Sequence, residues 1–186
     1  MVHILGVLVV IAAASDIAGY WLFTAKQSTV VLFNSFSIIQ FVMLSAVFYS
    51  LLESSPNRKL VLGGSVFFAL GFILITSLAE PFTTYQTLLW TLGGILLIVY
   101  SIAYFVHLFS TTQSSSRAGY MWINSAILFY FSLNLFLFVI SSYVLTQLEP
   151  EVGLLVWNFH NINNIVKNIL LGIGIGTATS NQGVAS

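Results

Sequence analysis

The chain contains no cysteine, and only 5% of its residues are charged, five Lys or Arg against five Asp or Glu. The first absence excludes disulfides, thiolate metal sites and cysteine nucleophiles together. The second removes the clustered cationic surface that phosphate neutralisation requires, so nucleic acid is not an expected partner. An ordinary soluble domain is about a quarter charged. No HExxH pattern, paired-carboxylate spacing or nucleophile elbow occurs, which leaves hydrolase chemistry without a motif. Proline is scarce too, and all 3 residues, Pro56, Pro81 and Pro150, fall in short polar breaks.

What remains is apolar. The composition is 58% hydrophobic with a mean hydropathy of +0.99, the signature of an integral membrane protein with lipid as its obligatory neighbour. At about 20 residues per spanning helix, 186 residues hold six or seven spans and almost no extramembrane domain. The hydropathy pattern predicts an all-α, polytopic transmembrane helical bundle over residues 1–176. Its six spans are Val2–Phe23, Val30–Leu52, Leu60–Ala79, Thr84–Phe109, Gly119–Leu145 and Val152–Ile175. The small, polar stretch Thr177 to Ser186 reads as a disordered tail. Ile4 to Ala14 followed by Ser15-Asp16 has a competing reading as a cleaved signal peptide. It lacks a basic n-region, however, and apolar character resumes through Ile17 to Phe23.

With six spans, Arg58, Lys59 and Arg117 share a side with both termini, whereas Lys26 stands alone among Glu80, Glu149 and Glu151 on the other. The positive-inside rule then puts both termini in the cytoplasm.

The last span is two-faced. At about 100° per residue, His160, Asn161, Asn163, Asn164, Lys167 and Asn168 fall on one side. Phe159, Ile162, Ile165, Val166, Ile169 and Leu170 fall on the other. A lysine near the bilayer centre costs roughly 2.5 to 3.5 kcal/mol on insertion scales, so it normally faces protein or a wet cavity. Lys167 is therefore the first candidate for function.

Several segments carry a likeness. Phe33-Asn34-Ser35-Phe36-Ser37-Ile38-Ile39-Gln40-Phe41, Trp122-Ile123-Asn124-Ser125 with Leu128 to Phe136, and His160 to Leu170 resemble a family of small, uncharacterised bacterial integral membrane proteins common in Bacteroidetes-type bacteria. The resemblance covers nearly the whole chain. It implies an inner-membrane helical bundle with a Trp-Ile-Asn element before a Tyr-Phe pair in the penultimate helix. It also implies a last-helix motif matched by His160, Lys167 and Asn168. Family members have one further N-terminal span, seven in all, and an acidic residue where Asp16 stands. This chain therefore aligns from the second family helix onward.

Helical rise of about 1.5 Å per residue places His160 and Asp16 each roughly 12 Å below the outer face and Lys167 roughly 22 Å below it. The expectation is two polar layers, an outer one of Asp16, Tyr20 and His160 and an inner one of Lys167, Asn168, Asn124 and Ser125. Asn34, Ser37 and Gln40 would line the second helix facing them, and Asn164 belongs with Lys167. These are candidate ligand-binding residues. Their alternative role is inter-helix hydrogen bonding, worth about 0.6 to 2 kcal/mol each.

Cofactors have little to bind to. A Schiff base between retinal and Lys167 would want a counter-ion carboxylate, and Asp16 lies roughly 10 Å away along the membrane normal. Bis-histidine haem needs two histidines at one depth, whereas His107 ends its span on the cytoplasmic side and His160 lies in the outer half. His3 is only the third residue. No cofactor or metal is expected. Three functional readings remain: a small-ligand-binding sensory module acting through a membrane or cytoplasmic signalling partner, a transporter of protons or small solutes, and a structural membrane subunit. Catalysis ranks behind all three.

Overall fold

The computed structural model describes the backbone of residues 2–110, 117–147 and 150–183, and the side chains of these except 117, 140–147, 150–154, 157 and 179–183. The described residues are helical apart from short connections. The helices are α1 (Val2–Thr24), α2 (Val30–Leu51), α3 (Ser55–Leu78), α4 (Thr87–Ser110), α5 (Arg117–Gln147) and α6 (Pro150–Gly183). The predicted loop Thr111 to Arg117, the turn at Glu149 and the end of the tail lie wholly or partly outside the described residues.

Helices α1 to α4 and residues 118–139 of α5 are each long and apolar enough to cross a membrane. α6, with 34 residues, is about 51 Å long at 1.5 Å per residue, more than the roughly 30 Å hydrocarbon core requires. The exposure pattern is inverted relative to a water-soluble protein. Val10, Trp21, Phe23, Leu78 and Phe136 are 67–81% exposed, while Asn34, Gln86, Ser101, Asn124 and Asn134 are all 0% exposed. Apolar groups outside and amides inside are what a hydrocarbon solvent selects, because lipid offers no hydrogen bonds.

The chain divides within α4 into two units, Met1–Gly93 and Gly94–Ser186. In the first, α1 turns one stripe inward, Leu5, Leu8, Ala12, Ser15 and Gly19, at the alternating spacing of three and four that keeps residues on one helical face. Beside Gly19 a Cβ would come within 3.0 Å of the Phe33 ring of α2, so glycine there admits the ring. α2 meets α3 through the stacked rings of Phe41 and Phe68, 3.8 Å between centroids. α3 buries only Val61 and Phe68 along its length, so most of it faces outward.

The connections are locally determined. After α1, Gln27 N–H donates to Leu22 O at 2.8 Å and Lys26 N–H to Phe23 O at 3.0 Å. This is a Schellman ending whose left-handed position, φ 56°, is filled by Lys26 where glycine is the usual choice. Between α2 and α3, Arg58 Nε donates to Leu52 O at 3.1 Å, and its guanidinium lies 5.2 Å from the Tyr49 ring centroid.

The connection from α3 to α4 is longer than the sequence predicts, since α4 begins at Thr87 instead of Thr84. Side chains hold it open. Asn34 of α2 donates to Phe82 O at 3.0 Å and Thr84 O at 2.8 Å, and accepts from Gln86 N–H at 3.2 Å. Glu80 closes the segment as the cap of α4, its carboxylate accepting from Thr87 Oγ1 at 2.7 Å and Leu88 N–H at 3.0 Å. A negative charge at a helix N-terminus is stabilising.

In the second unit α5 and α6 form the most extensive helix pair. Their backbones come together at glycines. A Cβ on Gly119 would sit 2.6 Å from Ala178 N, and one on Gly174 would sit 2.6 Å from Ile123 Cγ1 and 2.9 Å from Gly119 O. Gly174 and Ala178 are one turn apart, a small-xxx-small arrangement that permits this approach. The same contact carries α6 past Ile175. Thr177 to Gly183 are helical where the sequence predicts a disordered tail, because Ala178 is 0% exposed against α5 and Thr177 Oγ1 donates back to Ile173 O at 2.8 Å.

Candidate functional site

The inward stripe of α6 runs Asn163, Lys167, Leu171, Gly174 and Ala178, at intervals of four, four, three and four. It grades from polar at one end to minimal at the other. Where glycine lets the backbones touch, the helices leave no room between them. Toward Lys167 and Asn163 the buried positions carry longer, polar side chains instead. Phe159, Ile162, Ile165 and Ile169 are 44–59% exposed, so the outward face is the apolar one. Asn161, expected on the polar side, is exposed as well.

Lys167 is 5% exposed. Its Nζ donates to Asn164 Oδ1 at 2.6 Å and lies 4.3 Å from the centroid of the Tyr130 ring, within cation–π range. The i,i+3 spacing on α6 supplies the amide and α5 supplies the ring. One turn along α5, Asn134 bonds its own helix through Nδ2 to Tyr130 O at 2.8 Å. That fixes the amide so that Oδ1 faces His160, whose Nδ1 is 2.8 Å away. An amide oxygen only accepts, so Nδ1 carries the proton in this bond. Tyr130 and Phe138 flank the imidazole at centroid distances of 6.0 and 6.2 Å.

Among the described residues of α6, two buried amide atoms have no hydrogen-bond partner, Asn163 Nδ2 and Asn168 Oδ1. Asn163 is 3% exposed, and a buried polar group left unpaired costs about 1–3 kcal/mol. On a helix, Asn163 and Lys167 at i,i+4 have Cβ atoms about 6 Å apart on one face. A donor amide and an ammonium are thus neighbours in the seam between α5 and α6.

Within the second unit the printed partners differ from the expected inner layer at Asn124. Asn124 does not join Lys167. It forms a reciprocal pair with Ser101 of α4, Ser101 Oγ donating to Asn124 Oδ1 at 2.7 Å and Asn124 Nδ2 donating to Ser101 O at 3.1 Å. Ser125, the next residue, is half-buried and points to a different side of α5. Asn34 is spent on the loop before α4, and Gln40 is buried on α2 beside Phe41. Asp16 and Tyr20 lie on the exposed side of α1, Tyr20 at 68%. The inward residues of that helix are Ala12, Ser15 and Gly19, and positions 16 and 20 are each one residue further round.

Of the candidate residues, His160, Asn164 and Lys167 line the α5–α6 seam, and Asn168 lies half-buried on α6. Sequence reasoning left out Tyr130, Asn134 and Ser101 as partners and Asn163 as a site residue. Asn134 sits one turn after Tyr130 in a span whose other amide, Asn124, had drawn attention, and that spacing was the available signal. Among the described residues no group of three His, Asp or Glu side chains is gathered to hold a metal.

The architecture defines the class: an all-helical, multi-pass membrane protein with a polar seam between its last two helices. No family model, curated protein or solved structure matches the chain.

Proposed function

We propose that the protein is a membrane-embedded ligand-binding module of sensory type, taking a small polar molecule in the α5–α6 seam and acting through a membrane or cytoplasmic signalling partner. The observation that carries this reading is Asn163 Nδ2, buried without a partner one turn from a buried lysine. A bound polar group accepting from that amide removes a penalty of about 1–3 kcal/mol. The short connections between the described helices hold no output domain, so this reading assigns the output to a partner. The same proposal puts the chain in a bacterial inner membrane with both termini cytoplasmic, on the side of Arg58, Lys59 and Arg117.

A second reading, a structural subunit, draws support from the Ser101–Asn124 pair and the Asn34 clamp, where polar groups serve packing alone. Native mass spectrometry with an absorption spectrum, on gently purified wild-type protein and the Lys167→Met and Asn163→Leu variants, separates the two. A bound molecule retained by wild type and lost in folded variants supports the module. Empty spectra from all three, with unchanged stability, refute it and favour the structural subunit. Flux through proteoliposomes that depends on Lys167 would replace both readings by transport.

A further inference from the structure

We infer that the outward face of α6 is a docking surface for α6 of a second copy of the chain, joined through Asn158 and Asn161. The exposure pattern points to it. Among the described side chains of the six helices, amides are buried or half-buried, as at Asn34, Gln40, Asn124, Asn134 and Asn163, with two exceptions. Asn158 and Asn161 are exposed, and neither side chain takes part in a hydrogen bond among the described residues. At about 100° per residue, positions 158, 161, 162, 165 and 169 fall within about 100° of arc, opposite the seam that α6 makes with α5. Ile162, Ile165 and Ile169 are 58–59% exposed there, so the two amides, about one turn apart, interrupt an apolar surface. Counted from Val152 at about 1.5 Å per residue, they lie about 9 and 14 Å into the span, within a hydrocarbon core about 30 Å thick. Lipid tails offer an amide no hydrogen bond.

The chemistry of the face selects its occupant. It carries no charged side chain, so it neither selects an oppositely charged helix nor repels a copy of itself. An amide holds both donor and acceptor, and two identical amides facing each other satisfy one another reciprocally. Copies inserted in the same direction carry Asn158 and Asn161 at the same depths. A two-fold axis along the membrane normal, the commonest symmetry of a homo-oligomer, then sets each amide against its own equivalent, and both pairs close at once. An unrelated helix would have to present amides at both depths. Asparagine fixes register in this way at single positions of coiled coils, and amide hydrogen bonds between helices hold membrane bundles together. The isoleucines beside the amides supply the van der Waals contact that association in lipid also needs.

The test uses the full chain in vesicles of neutral lipid. The sequence has no cysteine, so a single introduced cysteine reports alone. Disulfide cross-linking is compared between Ile165→Cys, on the proposed surface, and Val66→Cys, at a position 60% exposed on α3. The expected result is a covalent dimer from Ile165→Cys that persists as lipid is added, with no more than random collision from Val66→Cys. Energy transfer between fluorescently labelled copies, titrated by lipid dilution, measures the dimer affinity. Asn158→Leu combined with Asn161→Leu should weaken it about tenfold or more, because inter-helix bonds are lost at both amides. Asn158→Gln combined with Asn161→Gln keeps the amide chemistry and should retain more of the affinity than the leucine pair. Unchanged helicity by circular dichroism shows that a lost dimer is not a lost fold, and if the leucine pair fails to fold, the cross-linking comparison still decides. Equal cross-linking at the two cysteine sites, a dimer indifferent to the leucine pair, or a monomer at every protein-to-lipid ratio overturns the inference.

Discussion

Adding a single methyl group at Gly174 should drive α5 and α6 apart. The Cβ of Gly174→Ala would stand 2.6 Å from Ile123 Cγ1, 2.9 Å from Gly119 O and 2.9 Å from Ile123 N, and two of those three atoms are backbone. A flexible side chain can swing aside, but a helix backbone moves as a unit. Restoring ordinary contact with the two backbone atoms, which begins at 3.4 Å, requires the helices to separate by about 0.5 Å (3.4 less 2.9 Å). Overpacking of this kind costs about 1–3 kcal/mol, and in lipid the lost close approach is not recovered by a hydrophobic term. Against it stands the helix preference for alanine over glycine, about 1 kcal/mol. The controls are on the same helix: a Cβ on Gly172 or Gly176 meets nothing within 4 Å. Gly172→Ala and Gly176→Ala should therefore be neutral or stabilised by up to about 1 kcal/mol, with Gly174→Ala less stable than either by about 1–3 kcal/mol. Reversible unfolding in mixed micelles, followed by circular dichroism, measures the difference. Stabilities agreeing within about 0.5 kcal/mol among the three variants would refute the close approach of α5 and α6, given typical additivity errors.

Other outcomes follow from the same geometry. Asn34→Leu removes the clamp on three groups of the connection before α4. It should destabilise the protein by about 1–3 kcal/mol and speed amide exchange at Gln86, because a buried N–H is left unpaired; unchanged protection at Gln86 would count against the clamp. Glu80→Gln keeps the shape of the α4 cap but removes its charge, and should cost about 0.3–1 kcal/mol by the helix-dipole effect, a loss absent if the carboxylate serves only as a spacer. Lys26→Gly relieves a non-glycine residue at φ 56° and should stabilise the α1–α2 ending by about 1 kcal/mol; a loss of stability would show that the lysine side chain contributes more than its backbone strain costs.

The all-helical architecture was legible in the sequence because it follows from local quantities. Long apolar runs with few charges have no other way to satisfy their backbone in hydrocarbon, and polar breaks at Pro56 and Pro81 mark where helices cannot continue. Periodicity also found the polar face of α6, since 3.6 residues per turn fixes which side chains share a side. It failed at Asn161, because a polar residue at the margin of a stripe can turn either way. It failed again at Thr177 to Gly183, where low apolar content suggested disorder. There, tight packing against Gly119 supplies what composition does not.

Which polar group meets which partner was a tertiary decision. Sequence yields depth along a helix axis, and depth placed Asp16 level with His160 and Asn124 near Lys167. Azimuth and neighbour identity decide the pairing, and these depend on how helices pack. Asn124 turns toward Ser101 of α4, His160 toward Asn134, and Lys167 toward Asn164 and Tyr130. The sequence alone determined that polar side chains must be hidden from lipid. Only the packing of α5 on α6, set by the few ångströms that glycine leaves open, decided which of them would be satisfied and which, at Asn163, would be left with a hydrogen to give.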